Sequence, residues 1–327
     1  MRVVVIGSEG FIGRALLAAL HSGAAAGAAG ERASLITRVD LRMAGADGPA
    51  GQGTTRTATP VAQRCVEGDI CDRAILARAL EGGVDCVFHL ASVPGGAAEQ
   101  NFELGLSTNL QATISVLEAL RAAGSAPRLV FASTIGVYGV PMPEFIDEQT
   151  VPEPASSYGA HKYIGEVLMA DYARRGFVDG RAVRIPGIVA RPPTAGMLSI
   201  FLSDLIRELA AGRTFVCPVN ADAHSWWMSR PCVVENLLHA ARLPRAVVAS
   251  QRVFLLPVLR LSIAEVVQGL AALHGPEVSG RIRYEPNARL QAQFASYPPL
   301  HCPKSLAAGF RHDGDVVTLV RRALESC

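Results

Sequence analysis

Along the first half of the chain, apolar runs typical of buried strands alternate with the apolar spacing of amphipathic helices. The strand-like runs are "RVVVIG", "SLITRVD", "DCVFHLAS" and "RLVFAST", at residues 2–7, 34–40, 85–92 and 128–134. Helical spacing is found at residues 10–20, 72–80, 104–124 and 156–176. Strands alternating with helices predict a parallel sheet covered on both faces, a Rossmann-type doubly wound α/β fold.

The regular alternation weakens after Pro186. Segments at residues 191–197, 218–231 and 295–304 are rich in loop-forming residues, and we expect them to belong to a smaller C-terminal substrate lobe. The predicted division assigns residues 1–185 and 232–256 to the parallel-sheet domain, and residues 186–231 and 257–327 to the lobe. Residues 43–60, rich in Gly, Ala, Thr and Pro, predict a flexible surface loop.

Composition excludes several classes of partner. The 327 residues carry a net charge of +2 without a block of five like charges, so we expect no nucleic acid or anionic membrane as partner. No apolar run approaches the roughly 18 residues of a membrane span, and a cytoplasmic location is predicted. The 7 cysteines are scattered without a C-x-x-C motif, which predicts neither a metal site nor a disulfide framework.

A glycine loop joins the first strand to the first helix. Gly7, Gly10 and Gly13 have the spacing G-x-x-G-x-x-G. In this context the first glycine permits a tight turn, the second lets the backbone approach a pyrophosphate, and the third lets the helix pack against the strand. The loop predicts a bound dinucleotide, the alternative being a purely structural turn.

Asp40 closes the second predicted strand. A carboxylate at this position can accept hydrogen bonds from both ribose hydroxyls and repels a 2′-phosphate, which favours NAD over NADP. Arg38 and Arg42 flank Asp40 and could instead serve a 2′-phosphate, and a plain turn residue is the other alternative.

Tyr158 and Lys162 stand four residues apart in the last predicted helix, and Lys162 is one of only two lysines in the chain. Residues at i and i+4 share one face of a helix. An ammonium beside a phenol lowers the tyrosine pKa toward neutrality, so Tyr158 could act as a general base or acid. A compact ammonium also suits ribose hydroxyls better than a guanidinium does. The alternative is an ordinary surface pair.

The glycine loop and the tyrosine–lysine pair resemble the extended short-chain dehydrogenase/reductase superfamily, also called the NAD-dependent epimerase/dehydratase family. The resemblance covers essentially the whole chain and includes "GDI", "FHLAS", "STNLQAT", "VFASTIGVYG" and "RIPGIVARP". It implies that Tyr158, Lys162 and Thr134 are catalytic and that the parallel-sheet domain binds NAD. The implied cofactor contacts are Gly7, Gly10, Phe11, Ile12, Gly13, Asp40, Asp69, Ile70, Leu90, Ala91, Ser92, Asn109, Ser133, Tyr158, Lys162, Pro186 and Ile188.

Within this family, residues 102–124, 157–186 and 305–313 resemble the D-erythronate dehydrogenase group. That resemblance implies oxidation of the C2 hydroxyl of a small aldonate with NAD. Tyr158 would remove the hydroxyl proton, Thr134 would position the oxygen, and Lys162 would orient the nicotinamide ribose. Ile135 and Gly136 stand where sugar-nucleotide dehydratases of the family carry an Asp-Glu pair, which argues against dehydration.

The pocket for the acid sugar is less clear, because "NADAHSWWMSRP" at residues 220–231 follows the group only loosely. Arginine suits a planar carboxylate, although any single arginine here could equally be a solvated surface residue. Trp226 and Trp227 could wall the pocket or pack in a core. The substrate-contact candidates are Ser92, Thr134, Tyr158, Arg191, His224 and Arg230.

Two other functions stay open. An NAD-dependent sugar or sugar-nucleotide epimerase would use the same catalytic set without net reduction of the cofactor. A non-catalytic NAD-binding regulator would have no need of all three groups. The expected partners are a small acid-sugar substrate and a second copy of the chain, because the helices at residues 102–123 and 157–175 match those that pair in dimers of this superfamily.

Overall fold

The computed structural model describes residues 1–27, 30–43, 61–139, 141–193 and 197–325. The predicted surface loop at residues 43–60 lies outside these ranges, except for Met43. Residues 194–196 of the loop-rich segment 191–197 also lie outside them. In chain order the strands are β1 (Arg2–Ile6), β2 (Leu35–Asp40), β3 (Ala62–Glu67), β4 (Cys86–His89), β5 (Arg128–Thr134), β6 (Ile146–Asp147), β7 (Asp179–Ile185), β8 (Phe215–Cys217), β9 (His224–Trp227), β10 (Val253–Leu255), β11 (Leu259–Ser262), β12 (Ile282–Tyr284) and β13 (Leu300–His301).

The helices follow the strands in the alternation that the sequence predicts for the first half of the chain. They are α1 (Phe11–His21), α2 (Arg73–Leu80), α3 (Gly95–Gln100), α4 (Phe102–Gly105), α5 (Ala112–Ala123), α6 (Ser157–Arg174), α7 (Ile200–Ala210), α8 (Arg230–Arg242), α9 (Arg245–Ser250), α10 (Ile263–His274), α11 (Ala288–Phe294), α12 (Pro303–Ala307) and α13 (Val316–Leu324). A π-helical segment, Leu106–Gln111, joins α4 to α5, and 3₁₀ turns follow β5 and α10 at Ile135–Val137 and Pro276–Arg281.

Seven of the strands in the described ranges form one parallel sheet, in the order β3-β2-β1-β4-β5-β7-β10. β1 pairs with β2 on one side and with β4 on the other, so the strand order reverses beside β1. In sheets of this kind ligands bind beyond the carboxyl ends of the strands, at the point of reversal. The predicted doubly wound α/β fold is confirmed.

Alternate residues of β1 are buried on opposite faces of the sheet. Val3 and Val5 pack in a cluster with α1 and α8, whereas Val4 and Ile6 pack in a cluster with α2, α5 and α6. Burial on both faces explains why this strand is a continuous apolar run rather than an alternating pattern.

A separate apolar cluster lies in the second half of the chain. It is built largely from α7, α10 and α13 and includes Trp227, while Trp226 packs in a smaller cluster with Ile135 and Tyr138. Met228 and Phe310, which the predicted division assigns to the lobe, instead join the cluster on the sheet. The exact division of the chain into two domains stays a prediction.

Three elements differ from the sequence expectations. β3 was not predicted because it is an edge strand in which only Val66 is buried, so it lacks an apolar pattern. The segment at residues 218–231, expected to be rich in loops, contains a strand, β9, which pairs antiparallel with β11. The helix expected at residues 104–124 is interrupted by the π-helical segment Leu106–Gln111.

Two observations concern membranes and metals. Within the described ranges, no helix combines the length and the apolar character needed to cross a membrane. The same ranges hold no group of three or more His, Cys, Asp or Glu side chains arranged for a metal ion.

Candidate active site

A cleft of about 1430 Å³ lies along the carboxyl edge of the sheet. Its walls come from the residues that follow β1, β4, β5 and β7, and from α7 and α11 in the second half of the chain. Most predicted site residues line it: Gly7, Gly10, Phe11, Ile12, Gly13, Leu90, Ser92, Ser133, Thr134, Tyr158, Lys162, Pro186, Ile188, Arg191 and Arg230.

The glycine loop brings α1 unusually close to the sheet. Gly7 has φ +84°, and a Cβ there would lie 2.5 Å from the backbone nitrogen of Ala91. A Cβ on Gly13 would lie 2.1 Å from the carbonyl oxygen of Gly7. No other residue fits at these two positions without moving the backbone.

The N-terminus of α1 is open toward the cleft. The helix begins after Gly10, and no side chain in the described part of the chain caps it. Its first-turn residues Phe11, Ile12 and Gly13 line the cleft. Unpaired N–H groups at a helix N-terminus, together with the helix dipole, stabilise an anion. This arrangement fits the pyrophosphate of a dinucleotide.

Asp40 lies at the end of β2, beside the glycine loop. Its Oδ2 accepts a hydrogen bond from the Glu9 backbone N–H at 2.8 Å, and its Oδ1 accepts one from Leu41 N–H at 2.8 Å. The backbone N–H of Gly68 donates to the Asp40 carbonyl at 3.0 Å, which brings two further predicted cofactor contacts, Asp69 and Ile70, to the same edge. These residues flank the cleft rather than line it, in a position that suits the adenosine half of the cofactor.

Tyr158 and Lys162 are presented by the first turns of α6. Ser156 caps this helix by accepting a hydrogen bond from Gly159 N–H at 3.1 Å. Thr134, at the end of β5, accepts a hydrogen bond from Gly136 N–H at 3.0 Å. Tyr158 interacts with the side-chain hydroxyls of Thr134 and Ser92. The structure therefore brings three hydroxyl groups from separate elements to one point of the cleft.

The pKa of Tyr158 departs from the sequence expectation. Burial raises it, while the hydroxyls of Thr134 and Ser92 and the charge of Arg191 oppose that shift. The net shift is therefore upward, opposite to the predicted lowering toward neutrality, and the effect of the Lys162 ammonium on this pKa stays a prediction. Arg191 is a cation whose charge favours the phenolate.

Lys162 is fully buried, and its own pKa is lowered to about 8 by that burial, with Glu166 acting in the opposite direction. Its Nζ lies 4.9 Å from the centroid of the Phe131 ring. The neighbouring His89 imidazole has its pKa lowered to about 3, mainly by burial and further by Lys162. The lysine thus reaches the cleft from an apolar pocket that weakens its hold on the proton.

Asn109 supports the loop after β4 instead of lining the cleft. Its Oδ1 accepts hydrogen bonds from Val93 N–H at 2.8 Å and from the Ser92 hydroxyl at 3.1 Å, and its Nδ2 donates to the Val93 carbonyl at 3.1 Å. The residue is fully buried within the π-helical segment, a distortion frequent at functional sites. Asn109 therefore positions Ser92.

A buried polar network beneath the predicted catalytic residues was missed from the sequence. Arg184 donates hydrogen bonds to Glu166 (Nη2–Oε2, 2.7 Å) and to the Tyr138 hydroxyl (Nη1–Oη, 2.8 Å), and Ser133 donates to Glu166. Glu166 follows Lys162 by four residues, so the two lie on the same side of α6. That spacing was the available signal, although an acidic residue in a helix is usually a solvated one.

The candidate substrate contacts separate into two groups. The guanidinium carbons of Arg191 and Arg230 lie 5.1 and 4.7 Å from the centroid of the Phe11 ring, and both residues line the cleft. His224 does not line it among the described residues, because β9 holds it against β11 opposite Ser262. The substrate role predicted for His224 is therefore not supported by its position.

Both tryptophans are core residues. Each is fully buried, and neither lines the cleft within the described ranges. The indole N–H of Trp226 donates to the Pro298 carbonyl at 2.8 Å, and that of Trp227 donates to the Leu261 carbonyl at 2.9 Å. Of the two alternatives for this pair, packing is the correct one.

Comparisons with known proteins show which proteins this chain is similar to. The family model for the NAD dependent epimerase/dehydratase family matches residues 3–247. A D-erythronate dehydrogenase of Cupriavidus necator is 34% identical over 330 residues, which cover 99% of this chain and 98% of that protein. A D-erythronate dehydrogenase of Haemophilus influenzae is 32% identical over 264 residues, covering 80% of this chain and 84% of that protein.

A solved structure, described as the nucleoside-diphosphate-sugar epimerase from Agrobacterium tumefaciens, is also similar to this chain. It has a TM-score of 0.89 and 29% identity, and the match covers 99% of this chain and 94% of that chain. The match to the family model includes the glycine loop and the Tyr158–Lys162 pair. The resemblance predicted from the sequence is confirmed, and the chain belongs to the NAD dependent epimerase/dehydratase family.

Proposed function

We propose that this chain is an NAD-dependent dehydrogenase that oxidises the C2 hydroxyl of a small aldonate, such as D-erythronate, to the 2-oxo acid. The observation that carries the proposal is the environment of Tyr158, where two hydroxyls and the charge of Arg191 act on one phenol. A proton acceptor and a carboxylate-binding cation are thus adjacent, as a 2-hydroxy acid requires. Similarity to two D-erythronate dehydrogenases supports the substrate class.

The residues of the cleft divide the reaction between them. When bound, NAD would supply the acceptor for the hydride of C2. Tyr158, as phenolate, takes the hydroxyl proton, so the substrate loses one hydride and one proton in total. Thr134 and Ser92 hold the reacting oxygen beside the phenol. Lys162, buried at the base of the cleft, holds the ribose hydroxyls on the nicotinamide side.

Arg191 is the better of the two arginines for the substrate carboxylate. Its charge lowers the pKa of Tyr158 against the rise that burial causes, and Tyr158 in turn raises the pKa of Arg191 against the lowering that burial causes. In a 2-hydroxy acid the carboxylate is bonded to the reacting carbon, so its partner must lie next to the proton acceptor. Arg191 is held in place by a hydrogen bond from its Nε to the Ile188 carbonyl at 3.1 Å.

Arg191→Gln is expected to lower kcat/KM for D-erythronate by roughly 10- to 100-fold, because a charge-assisted hydrogen bond is lost. The measurement is steady NADH formation with a panel of four- to six-carbon aldonates and uronates. Arg213→Gln, which removes an exposed guanidinium paired with Glu208, is the matched control and should leave the rate unchanged. Full activity of Arg191→Gln with D-erythronate would show that Arg191 does not bind the substrate carboxylate. If the wild-type protein forms no NADH with any member of the panel, the proposed reaction is contradicted.

The runner-up is an NAD-dependent sugar or sugar-nucleotide epimerase. Its support is the likeness to the Agrobacterium tumefaciens structure and the size of the cleft, about 1430 Å³. An epimerase returns the hydride to its substrate, so it would accumulate no NADH. The same assay therefore separates the dehydrogenase from the epimerase. A non-catalytic regulator would neither form NADH nor consume it.

We also propose that the chain forms a homodimer through α4, α5 and α6. Five large apolar side chains on these helices are 39–55% exposed: Phe102, Leu104, Ile114, Ile164 and Val167. Pairing of two copies would remove this apolar surface from water. Sedimentation equilibrium is expected to give the mass of two chains, and Ile164→Glu with Val167→Glu should shift it to one. A wild-type mass of one chain would contradict the proposal.

The remaining expectations accompany this function as proposals. The NAD-binding domain comprises residues 1–185 and 232–256, and the substrate lobe comprises residues 186–231 and 257–327, with the cleft between them. The enzyme acts in the cytoplasm on a small acid sugar.

A further inference from the structure

The glycine loop carries an acidic residue that takes no part in the proposed reaction. Glu9 immediately precedes Gly10, and its side chain is only 11% exposed. Its carboxylate accepts a hydrogen bond from Arg38 through one oxygen and lies 3.4 Å from the Arg14 guanidinium (Oε2–Nη2) through the other. A negative charge is thus built into the loop that would receive a dinucleotide.

Glu9 is also tied to the residue expected to bind the adenosine ribose. Its backbone N–H donates to Asp40 Oδ2 at 2.8 Å, so the two acidic residues are in direct contact at the carboxyl edge of β1 and β2. A 2′-phosphate on a ribose held by Asp40 would enter the space next to both carboxylates. The negative charges of the phosphate and of the two carboxylates would repel one another strongly where water is partly excluded.

Arg38 is the residue that could otherwise compensate a 2′-phosphate. It precedes Asp40 by two positions on β2, so both side chains lie on the same face of the strand. Its Nη2 is bound to Glu9, and its Nε is buried without a hydrogen-bond partner among the described residues. Glu9 therefore neutralises the Arg38 guanidinium and fixes it in place.

We propose that Glu9 is a cofactor-specificity residue, which holds Arg38 and repels a 2′-phosphate so that this chain binds NAD in preference to NADP. Asp40 alone would leave Arg38 available to the phosphate. With Glu9 in place, the phosphate meets two carboxylates and two arginines, Arg38 and Arg14, that are already paired with Glu9. The proposal rests on dinucleotide binding and not on the substrate, so it stands or fails independently of the aldonate.

The test is isothermal titration of the cofactor-free protein with NAD⁺ and with NADP⁺. Glu9→Gln is expected to strengthen NADP⁺ binding roughly tenfold or more, the value of a charge-assisted hydrogen bond gained, while NAD⁺ affinity changes by less than about threefold. Adding Arg38→Met to Glu9→Gln should reduce the gain, because only the relief of repulsion by Glu9 is left. Glu9→Asp retains the charge and should retain the preference for NAD⁺.

Glu67→Gln is the matched control. Glu67 ends the neighbouring strand β3, is exposed, and accepts a hydrogen bond from Met43 N–H at 2.8 Å. Its removal should change neither affinity. The proposal is overturned if Glu9→Gln leaves NADP⁺ affinity unchanged, if both dinucleotides shift by the same factor, or if the whole gain survives the addition of Arg38→Met.

A second measurement needs no variant. Wild-type protein should bind 5′-AMP more tightly than 2′,5′-ADP, and added salt should narrow the difference because it screens repulsion between Glu9 and the 2′-phosphate. Tighter binding of 2′,5′-ADP at low salt would show that the arginines prevail over Glu9 and would overturn the proposal.

Discussion

Tyr158→Phe is expected to lower kcat by roughly 100- to 10,000-fold with D-erythronate, the usual contribution of a general base. Phenylalanine keeps the ring against the cleft wall but cannot accept the C2 hydroxyl proton. NAD⁺ affinity, measured by titration, should stay within about threefold of wild type, since α6 and the glycine loop are unchanged.

Tyr172→Phe is the matched control for this substitution. Tyr172 lies on the same helix, and its hydroxyl donates a hydrogen bond to Glu118, away from the cleft. Its turnover should equal that of wild type. Because burial raises the pKa of Tyr158, the wild-type rate of oxidation should also rise with pH above neutrality as the phenolate fraction grows. Full turnover by Tyr158→Phe would exclude the proposed role.

Glu166→Gln is expected to lower the free energy of unfolding by about 3–5 kcal/mol, because it leaves the buried Arg184 guanidinium without a compensating charge. Glu166 is 2% exposed and Arg184 8% exposed, so water cannot replace the lost partner. Glu166 also raises the pKa of Lys162, so its removal should let the lysine lose its proton at lower pH. Urea unfolding measures the first effect.

Two further variants identify the cause of that loss. Glu118→Gln removes a partly exposed carboxylate that pairs with Arg121 at 2.7 Å and accepts the Tyr172 hydrogen bond, and it should cost no more than about 1 kcal/mol. Glu166→Gln combined with Arg184→Met should recover part of the loss, because the unpaired charge is gone. Equal stability of Glu166→Gln and Glu118→Gln would mean that the buried pair contributes little.

Much of the sheet could be predicted from the sequence because burial leaves a pattern. β1 is apolar from Val3 to Ile6 since both of its faces are covered there, and α6 begins directly after its capping residue Ser156. β3 left no such pattern, because an edge strand is mostly solvated and only Val66 is buried. The pair Trp226–Trp227 was ambiguous because a core and a pocket wall select the same bulky apolar side chains.

The candidate site was predicted in part, and the misses have physical causes. Fixed spacings identify Gly7, Gly13 and Tyr158, since each spacing reflects a local geometric requirement. Glu9 and Glu166 were missed because a single charged residue carries no periodic signal, and its burial depends on partners distant in sequence. Arg191 was named only as one candidate among several, and His224 was named wrongly as a cleft residue, because the packing of the lobe against the cleft is not revealed by one sequence.

The burial of Lys162 has a practical consequence for chemical attachment. The only other lysine, Lys304, is exposed near the start of α12 and is absent from the cleft wall within the described ranges. Amine-reactive linkers should therefore attach at Lys304 and leave the buried Lys162 amine untouched. The chain could be tethered to a solid support through Lys304 with its cleft still open to solution.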